Sequence, residues 1–369
     1  MKGFGDLYKS KKKKNQKTKP SKDQIISQAF KLHTQGNISE AAKYYQLFIN
    51  QGFKDHRVFS NFGIILQGLG NLKDAESSYR KAIELKPDYA NAYSNLGSIL
   101  QDLGNLKEAE VSTRKAIKLV PNFADAYSNL GSILKDLGNL KEAEVSTRKA
   151  IELKPGLVEA YYNLGTILID LGQLQEAEIS TRKAIELNPD FAMAHFNLGG
   201  ILNNIGKLKE AEISFKKVIE LNPDFARAYF SLSLLKYSDE NKIWQDQLFS
   251  QSILDSKLPN DQVDIYFARA NIFHKEKKYE KSSRCLLMAN KLKLYLNPSI
   301  PNMIFNKSKE LLIESDKKEI NKKEHRNYSE SIFIVGMPRS GSTLLESILS
   351  MSNDVYDLGE VNILEESFL

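Results

Sequence analysis

The sequence has little of several residue types, and each shortage excludes a class of protein. Its 369 residues include a single cysteine, Cys285, so an internal disulfide and a cysteine-based zinc cluster are excluded. No apolar run approaches the roughly 20 residues that cross a bilayer. No apolar stretch of a secretory signal follows the first lysines. We therefore expect a cytoplasmic protein with no membrane span and no resident metal ion.

Acidic residues are nearly missing from the N-terminus. Residues 1–22 carry nine lysines against one acid, Asp6, which leaves 43 basic and 45 acidic residues for the nearly neutral remainder. So polar and self-repelling a segment cannot bury a core, and residues 1–21 are predicted to form a disordered tail. Its composition favours a solubilising leader over contact with anionic lipid, nucleic acid or an acidic partner. No specific nucleic-acid partner is expected.

What the sequence does contain is a period of 34 residues. Small residues recur at positions 8, 20 and 27 of each frame, with Val218 as the exception, and a proline recurs at position 32. Small side chains let two antiparallel helices approach closely, a left-handed glycine ends the first helix, and the proline ends the second. Each pair keeps an apolar face that only a neighbour can cover, so a stacked solenoid is predicted. The strict frames begin at His56, Ala90, Ala124, Val158 and Ala192.

This pattern resembles the tetratricopeptide repeat (TPR) at nearly every signature position of the five strict frames. The resemblance implies a mainly α fold, an α–α superhelix, over residues 22–296. Residues 56–225 keep the pattern strictly, whereas residues 22–55 and 226–296 carry degenerate versions of it.

One polar residue recurs as regularly as the core. Residues 34 apart align in a solenoid, and each asparagine amide offers a donor and an acceptor to the backbone of an extended peptide. A similar ladder holds acceptor polypeptide in the TPR superhelix of O-GlcNAc transferases. The candidate peptide-groove residues, all at position 6, are Asn61, Asn95, Asn129, Asn163 and Asn197.

The alternative is that these amides bond to a neighbouring helix and only set the superhelix, because periodicity does not say which way a side chain points. Residues 22–300 contain no His, Asp, Glu or Ser constellation that suggests chemistry. The expected partner of the repeats is therefore a protein or peptide in the groove. The sequence leaves the oligomeric state open.

The repeat pattern ends where prolines interrupt it, and residues 297–330 are predicted to be a linker with one helix over 302–316. The apolar run 331–335 is then typical of a buried strand. The glycine-bracketed loop 336–343 and a stretch with helical spacing follow it. Such a unit forms an anion cradle, because unpaired N–H groups and the helix dipole favour negative charge at the helix start.

The loop has the glycine spacing of a Walker A loop, but Ser342 stands where an ATPase or kinase has its lysine. Nucleoside triphosphate hydrolysis is therefore not expected. Arg339 offers a planar fork of donors to phosphate or sulfate oxygens, and the hydroxyls of Ser340, Ser342 and Thr343 add more. This donor set suits a phosphate–sulfate group and requires no metal.

The sequence from Phe333 to Leu344 resembles the 5′-phosphosulfate loop of sulfotransferases, especially the tyrosylprotein sulfotransferase-like group. Many bacterial members of that group carry TPR repeats ahead of the catalytic domain. The resemblance implies that 3′-phosphoadenosine 5′-phosphosulfate (PAPS) is the co-substrate. The residues implied around its 5′ end are Arg339, Ser340, Gly341, Ser342 and Thr343.

The same resemblance implies a glutamate soon after the loop as general base, with Arg339 stabilising charge on the sulfuryl oxygens. Glu360 stands at the matching distance, and Glu365 and Glu366 are competing candidates. Residues 331–369 are thus expected to be the start of an α/β sulfotransferase domain, truncated in this chain. Because one strand and one helix cannot form a nucleotide pocket, the isolated chain is expected to be inactive.

Two functions are compatible with the whole sequence. One is a PAPS-dependent sulfotransferase whose TPR groove presents a hydroxyl acceptor, similar to a protein tyrosine. The other is a TPR scaffold for protein–protein interaction without catalysis.

Overall fold

Each repeated frame folds into two antiparallel helices joined by a three-residue turn. The computed structural model describes residues 20–235, 243–255 and 257–297, and the predicted mainly α solenoid is confirmed for them. The first helices are α1 (Lys22–Thr34), α3 (His56–Gly68), α5 (Ala90–Asp102), α7 (Ala124–Asp136), α9 (Val158–Asp170), α11 (Ala192–Asn204) and α13 (Ala226–Leu234). The second helices are α2 (Ile38–Asn50), α4 (Leu72–Leu85), α6 (Leu106–Leu119), α8 (Leu140–Leu153), α10 (Leu174–Leu187) and α12 (Leu208–Leu221).

The array continues after residue 242 with a less regular set of helices. They are α14 (Ile243–Phe249), a short 3-10 turn (Ser252–Leu254), α15 (Pro259–Lys275) and α16 (Tyr279–Leu296). Helix α15 packs against both α13 and α16. The side chain of Asn271 on α15 donates to Ser233 Oγ on α13 at 2.9 Å, so the stacking of first helices extends into this degenerate part.

Glycine at position 8 sets how closely the two helices of a pair approach. A β-carbon placed on Gly97 would lie 2.0 Å from Oγ1 of Thr113 on the second helix, and one on Gly131 would lie 2.0 Å from Oγ1 of Thr147. Only a hydrogen atom fits in these contacts. The alanines at position 20 of every strict frame are fully buried, as are the residues at position 27. The small residues therefore have the packing role that the sequence predicted.

The turn between the two helices is a Schellman motif. Gly104 has a φ of +79°, and the N–H groups of Gly104 and Asn105 donate to the carbonyls of Gln101 at 2.9 Å and Leu100 at 2.8 Å. Lys277 occupies the same place between α15 and α16 with a φ of 59°. A side chain in this conformation costs roughly 1 kcal/mol, which the flanking helices must offset.

Stacking of the pairs is closer on the side of the first helices. Successive first helices touch directly, as α5 does α7 and α7 does α9. Successive second helices are joined instead by long side chains, with Arg114 Nη2 donating to Glu142 across the junction at 2.6 Å and Nε donating to Glu110 on its own helix at 2.8 Å. The first helices therefore line the inner, concave side of the stack.

The arginine bridge repeats at four junctions. Its arginines are Arg80, Arg114, Arg148 and Arg182, each paired with one glutamate on its own helix and one on the next second helix. Each arginine is nearly half exposed, so solvent screening limits a single pair to less than about 1 kcal/mol. The ladder mainly fixes the spacing of the outer helices.

In the described ranges, none of the helices combines the length and apolar character that a membrane span requires. The same part of the chain holds no group of three or more His, Cys, Asp and Glu side chains suited to a metal ion.

Replacing Gly97 by alanine should destabilise the array by about 1–3 kcal/mol, because the added methyl group overpacks against Thr113. Thr113 cannot yield easily, since its hydroxyl already donates to the carbonyl of Ala109 at 2.9 Å. Urea unfolding followed by circular dichroism measures the change as a shift of the midpoint. Gly68 is the matched control, because a β-carbon there meets no atom within 4 Å. Gly68→Ala should leave the midpoint unchanged or raise it, and equal losses in the two variants would contradict the packing role.

Candidate functional site

The inner face of the stack is one stripe along each first helix. It comprises positions 2, 5, 6, 9, 12 and 13 of the frame, which share a helix face. The opposite stripe, with Leu96, Ile99 and Leu100 in one repeat, is buried against the second helix. We call the surface formed by the inner stripes the inner groove. The predicted asparagines, at position 6, all lie on it and are half-buried.

Two of the asparagines bridge to the preceding repeat. Nδ2 of Asn129 donates to Oγ of Ser94 at 3.2 Å, and Nδ2 of Asn163 donates to Oγ of Ser128 at 3.1 Å. Both serines are buried, at 2% and 3% exposure, in the contact between first helices. The NH₂ groups of Asn129 and Asn163 thus link neighbouring first helices. This is the alternative role that the sequence left open.

The carbonyl oxygen of each of the five amides has no hydrogen-bond partner among the described residues. Within the same residues, the side chains of Asn95 and Asn197 make no hydrogen bond at all. Tyr162 stands in place of the serine before Asn197, whereas Ser60 is present before Asn95 without a hydrogen bond between the two side chains. The ladder therefore offers a row of half-buried carbonyl acceptors, some of them fixed in orientation by their own NH₂ groups.

Asn61 joins a different network at the start of the array. Its Nδ2 donates to the hydroxyl of Tyr45 at 3.4 Å, and that hydroxyl lies 3.0 Å from Nδ1 of His33. Burial raises the pKa of Tyr45, an effect that the hydrogen bond from Asn61 opposes. Burial also lowers the pKa of His33. A neutral His33 can accept a hydrogen bond from the Tyr45 hydroxyl at Nδ1, which leaves the phenol oxygen to accept from Asn61.

A second ladder of amides connects first helices farther along their length. Nε2 of Gln101 donates to Oγ of Ser132 at 2.8 Å and to Oδ2 of Asp136 at 2.6 Å. Gln67 makes the same pair of bonds to Ser98 and Asp102, at 3.3 and 3.1 Å. This ladder was not among the predictions from the sequence. Its signal is a glutamine at position 12 with an aspartate 35 residues later, which the first two strict frames both contain.

The lining of the inner groove changes along the stack. Over α5 and α7 it is rich in serine, and α5, α7 and α9 all carry carboxylates. Phe196 and Phe230 instead occupy position 5 on α11 and α13. Phe196 lies 5.1 Å from Phe225, centroid to centroid, and the guanidinium of Arg227 stacks over its ring at 4.9 Å. The middle of the groove is thus polar and acidic, and the part over α11 and α13 is aromatic.

Family comparisons identify the two parts of the chain separately. Models of the tetratricopeptide repeat match residues 90–123, 124–157, 158–191 and 181–213, and a further TPR repeat model matches residues 68–104. The stacked pairs are tetratricopeptide repeats. A sulfotransferase family model matches residues 331–368. No curated protein matches the chain.

Solved structures of TPR proteins are similar to the array. YrrB, described as a TPR protein with an unusual peptide-binding site, is 28% identical over 51% of this chain and 96% of its own, with a TM-score of 0.38. A thermophilic TPR protein of Thermus thermophilus, TTC0263, is 20% identical over 49% of this chain and 100% of its own, with a TM-score of 0.45. PilF of Pseudomonas aeruginosa is 16% identical over 69% of this chain and 97% of its own, with a TM-score of 0.45.

The sulfotransferase-like segment lies outside the described residues. This applies to its predicted phosphosulfate-loop residues, to its predicted base and to the predicted linker helix. The residues concerned are Arg339, Ser340, Gly341, Ser342, Thr343 and Glu360.

The network of His33 in the first TPR should make the stability of the array depend on pH. Its pKa is lowered in the folded state, so the unfolded chain binds a proton that the folded chain excludes. The contribution is fully present above the usual histidine value of about 6.5 and is lost as pH falls through that value and then through the folded pKa.

Thermal unfolding between pH 7.5 and 5 measures this loss. In His33→Asn the amide oxygen can still accept from Tyr45, and the fall in melting temperature should shrink. His274→Asn, at an exposed histidine, is the matched control and should keep the wild-type slope. A slope unchanged in His33→Asn would contradict the assignment of the pH dependence to His33.

Proposed function

We propose that the inner groove binds an extended polypeptide and that residues 331–369 belong to a PAPS-dependent sulfotransferase domain acting on a hydroxyl of that polypeptide. The observation that carries the first part is the row of asparagine carbonyls without partners. The second part is supported by the family match at residues 331–368. The acceptor hydroxyl is proposed to be that of a tyrosine, on the resemblance of the loop to tyrosylprotein sulfotransferase-like enzymes.

The ladder is suited to backbone recognition. An extended peptide leaves its N–H groups unpaired, and each needs an acceptor when it is removed from water. Asn129 and Asn163 can supply one without reorganising, because the serines of the preceding repeat already hold their NH₂ groups. Such contacts do not depend on peptide side chains. They would hold many sequences in one register along the groove.

The loop residues supply the chemistry expected for the 5′ end of PAPS. Arg339 can form a planar pair of hydrogen bonds with sulfate or phosphate oxygens, and the hydroxyls of Ser340, Ser342 and Thr343 can donate to the same group. PAPS supplies the sulfuryl group that is transferred. Glu360 is proposed to take the proton from the acceptor hydroxyl, with Glu365 and Glu366 as the competing carboxylates.

The second candidate is a TPR scaffold without catalysis. The complete helical framework and its unfilled acceptors suffice for binding, and they contain no catalytic constellation. The two functions make the same prediction for the groove but differ for the sulfotransferase-like segment.

Asn95→Ala/Asn129→Ala/Asn163→Ala should weaken peptide binding at least about tenfold, because each lost hydrogen bond is worth about 1 kcal/mol. Isothermal titration with peptides captured from a randomised library measures the affinity, and circular dichroism checks that helicity is kept. The matched control is Asn71→Ala/Asn105→Ala/Asn139→Ala, at exposed turn positions whose side chains form no cap hydrogen bond. Equal affinities for the two triple variants would remove the groove from the proposal.

Arg339→Ala and Glu360→Gln should each lower sulfuryl transfer by at least about a hundredfold, since one loses the anion contact and the other the general base. The measurement uses radiolabelled PAPS, a tyrosine-containing peptide and the protein expressed from its complete gene. Glu366→Gln is the matched control and should keep the wild-type rate. No transfer by the wild-type protein, with peptide binding intact, would favour the scaffold.

A further inference from the structure

The inner groove carries carboxylates that the described residues neutralise only in part. Position 13 is aspartate in three successive repeats, and all three side chains are exposed. Asp102 accepts only an amide hydrogen bond from Gln67, and Asp170 has no partner within the described residues. Asp136 lies 3.2 Å from the ammonium group of Lys135 and also accepts from Gln101.

Charge is distributed differently on the two sides of the stack. The inner positions of α5, α7 and α9 hold five carboxylates against one lysine, a net charge of −4. One of the five, Asp125, lies 3.5 Å from the ammonium group of Lys154. On the second helices, by contrast, glutamates such as Glu110 and Glu142 are bridged by arginine. A negative strip therefore runs along the same surface as the asparagine acceptors, which favours a basic ligand.

The spacing of the strip fits an extended chain with a three-residue repeat. Packed helices lie about 8–10 Å apart, so equivalent aspartates on successive first helices are separated by about that distance. A polyproline-type chain advances about 9 Å in three residues and returns the same side after each turn. A ligand matching both features has a basic side chain at every third position.

The chain itself contains such a segment. Tyr8, Lys11, Lys14 and Lys17 follow one another at intervals of three. Lys14 and Lys11 match the carboxylates of α5 and α7. Tyr8 matches α9, which keeps two carboxylates but has Tyr162 and Ile169 in place of the Ser128 and Lys135 of the preceding repeat. The order of side chains in the segment thus parallels the change in the lining of the groove.

The segment is long enough to reach these helices from its attachment point. Helix α1 begins at Lys22 and contacts the next first helix, α3, where the guanidinium of Arg57 lies 5.4 Å from the ring centroid of Phe30. At about 3.1 Å per residue, Lys14 can lie up to about 22 Å from Ser21 and Lys11 up to about 31 Å. The aspartates lie at the far ends of the first helices, about 18 Å along the helix axis from the level of Lys22. Combined with two helix spacings to α5 or three to α7, this puts Asp102 about 24–27 Å and Asp136 about 30–35 Å away. The extended side chains of Lys14 and Lys11 span the difference.

We propose that residues 8–17 occupy the inner groove of their own chain, with Lys14 over α5, Lys11 over α7 and Tyr8 over α9, and compete there with basic polypeptides. The inference rests on the proposed function of the groove and names the chemistry of its ligand. A tethered segment acts at an effective concentration of about millimolar. If the untethered segment binds with a Kd of about 0.1 mM, an external peptide would bind about tenfold more weakly than to an empty groove.

Fluorescence anisotropy with a labelled peptide of residues 8–19 tests the competition on the full chain. Lys11→Gln/Lys14→Gln/Lys17→Gln should bind the peptide at least about tenfold more tightly than the wild type. Lys9→Gln/Lys12→Gln/Lys13→Gln removes the same charge outside that register and should bind within about threefold of the wild type. Equal gains in the two variants, or none, would overturn the proposal.

The groove is tested by a second pair of variants, made in the Lys11→Gln/Lys14→Gln/Lys17→Gln chain. Asp102→Asn/Asp136→Asn/Asp170→Asn should lower the affinity for the labelled peptide at least about tenfold and flatten its salt dependence. Glu84→Gln/Glu152→Gln/Glu186→Gln neutralises three lysine-paired carboxylates on second helices and should leave binding unchanged. Equal effects of the two triple variants would overturn the assignment to the groove.

Two further outcomes separate this inference from the proposed function. One outcome is that a neutral peptide binds as tightly as the labelled one and that its binding is lost when the asparagine ladder is removed. This would refute the preference for a basic ligand and leave the proposed function of the groove standing. If no peptide binds any variant, the groove function itself fails.

A gain in affinity that depends on protein concentration would assign the segment to a second copy and overturn binding within one chain.

Discussion

Direct contact between successive first helices is the constraint on which the rest of this structure depends. It is possible because small hydroxyl side chains such as Ser94 and Ser128 lie at the contact and are buried there. Successive second helices lie farther apart and are linked by arginine–glutamate ion pairs that span the gap. This difference in spacing curves the stack and turns one stripe of every first helix into a continuous groove.

The same contact prepares the groove for binding. The buried serine hydroxyls accept from the asparagines of the following repeat, which fixes the amides and directs their unused capacity to the groove. Asn129 and Asn163 can therefore combine a structural and a binding role, because the NH₂ group bonds to the serine while the carbonyl oxygen stays available to a ligand. The cost of ordering these acceptors is met during folding, so a ligand need not supply it.

Much of the fold could be predicted from the sequence, because the 34-residue period is dictated by local geometry. The left-handed glycines, the buried alanines and the close approach at Gly97 all follow from the absence of side-chain atoms, which is visible in the sequence itself. The orientation of the asparagines could not be predicted, since it depends on a serine 35 residues away. Nor could the sequence show that Asn95 makes no such bond although Ser60 stands 35 residues before it.

By itself the sequence determined the repeat, its period, the position of the asparagine ladder and the likeness of residues 331–368 to sulfotransferases. Tertiary structure decided which amide atoms are used and which are free. It also decided that Asp102, Asp136 and Asp170 share one surface while the glutamates of the second helices are paired with arginine. The physical reason is that periodicity fixes which residues recur, whereas the curvature of the stack fixes which of them face each other across a junction.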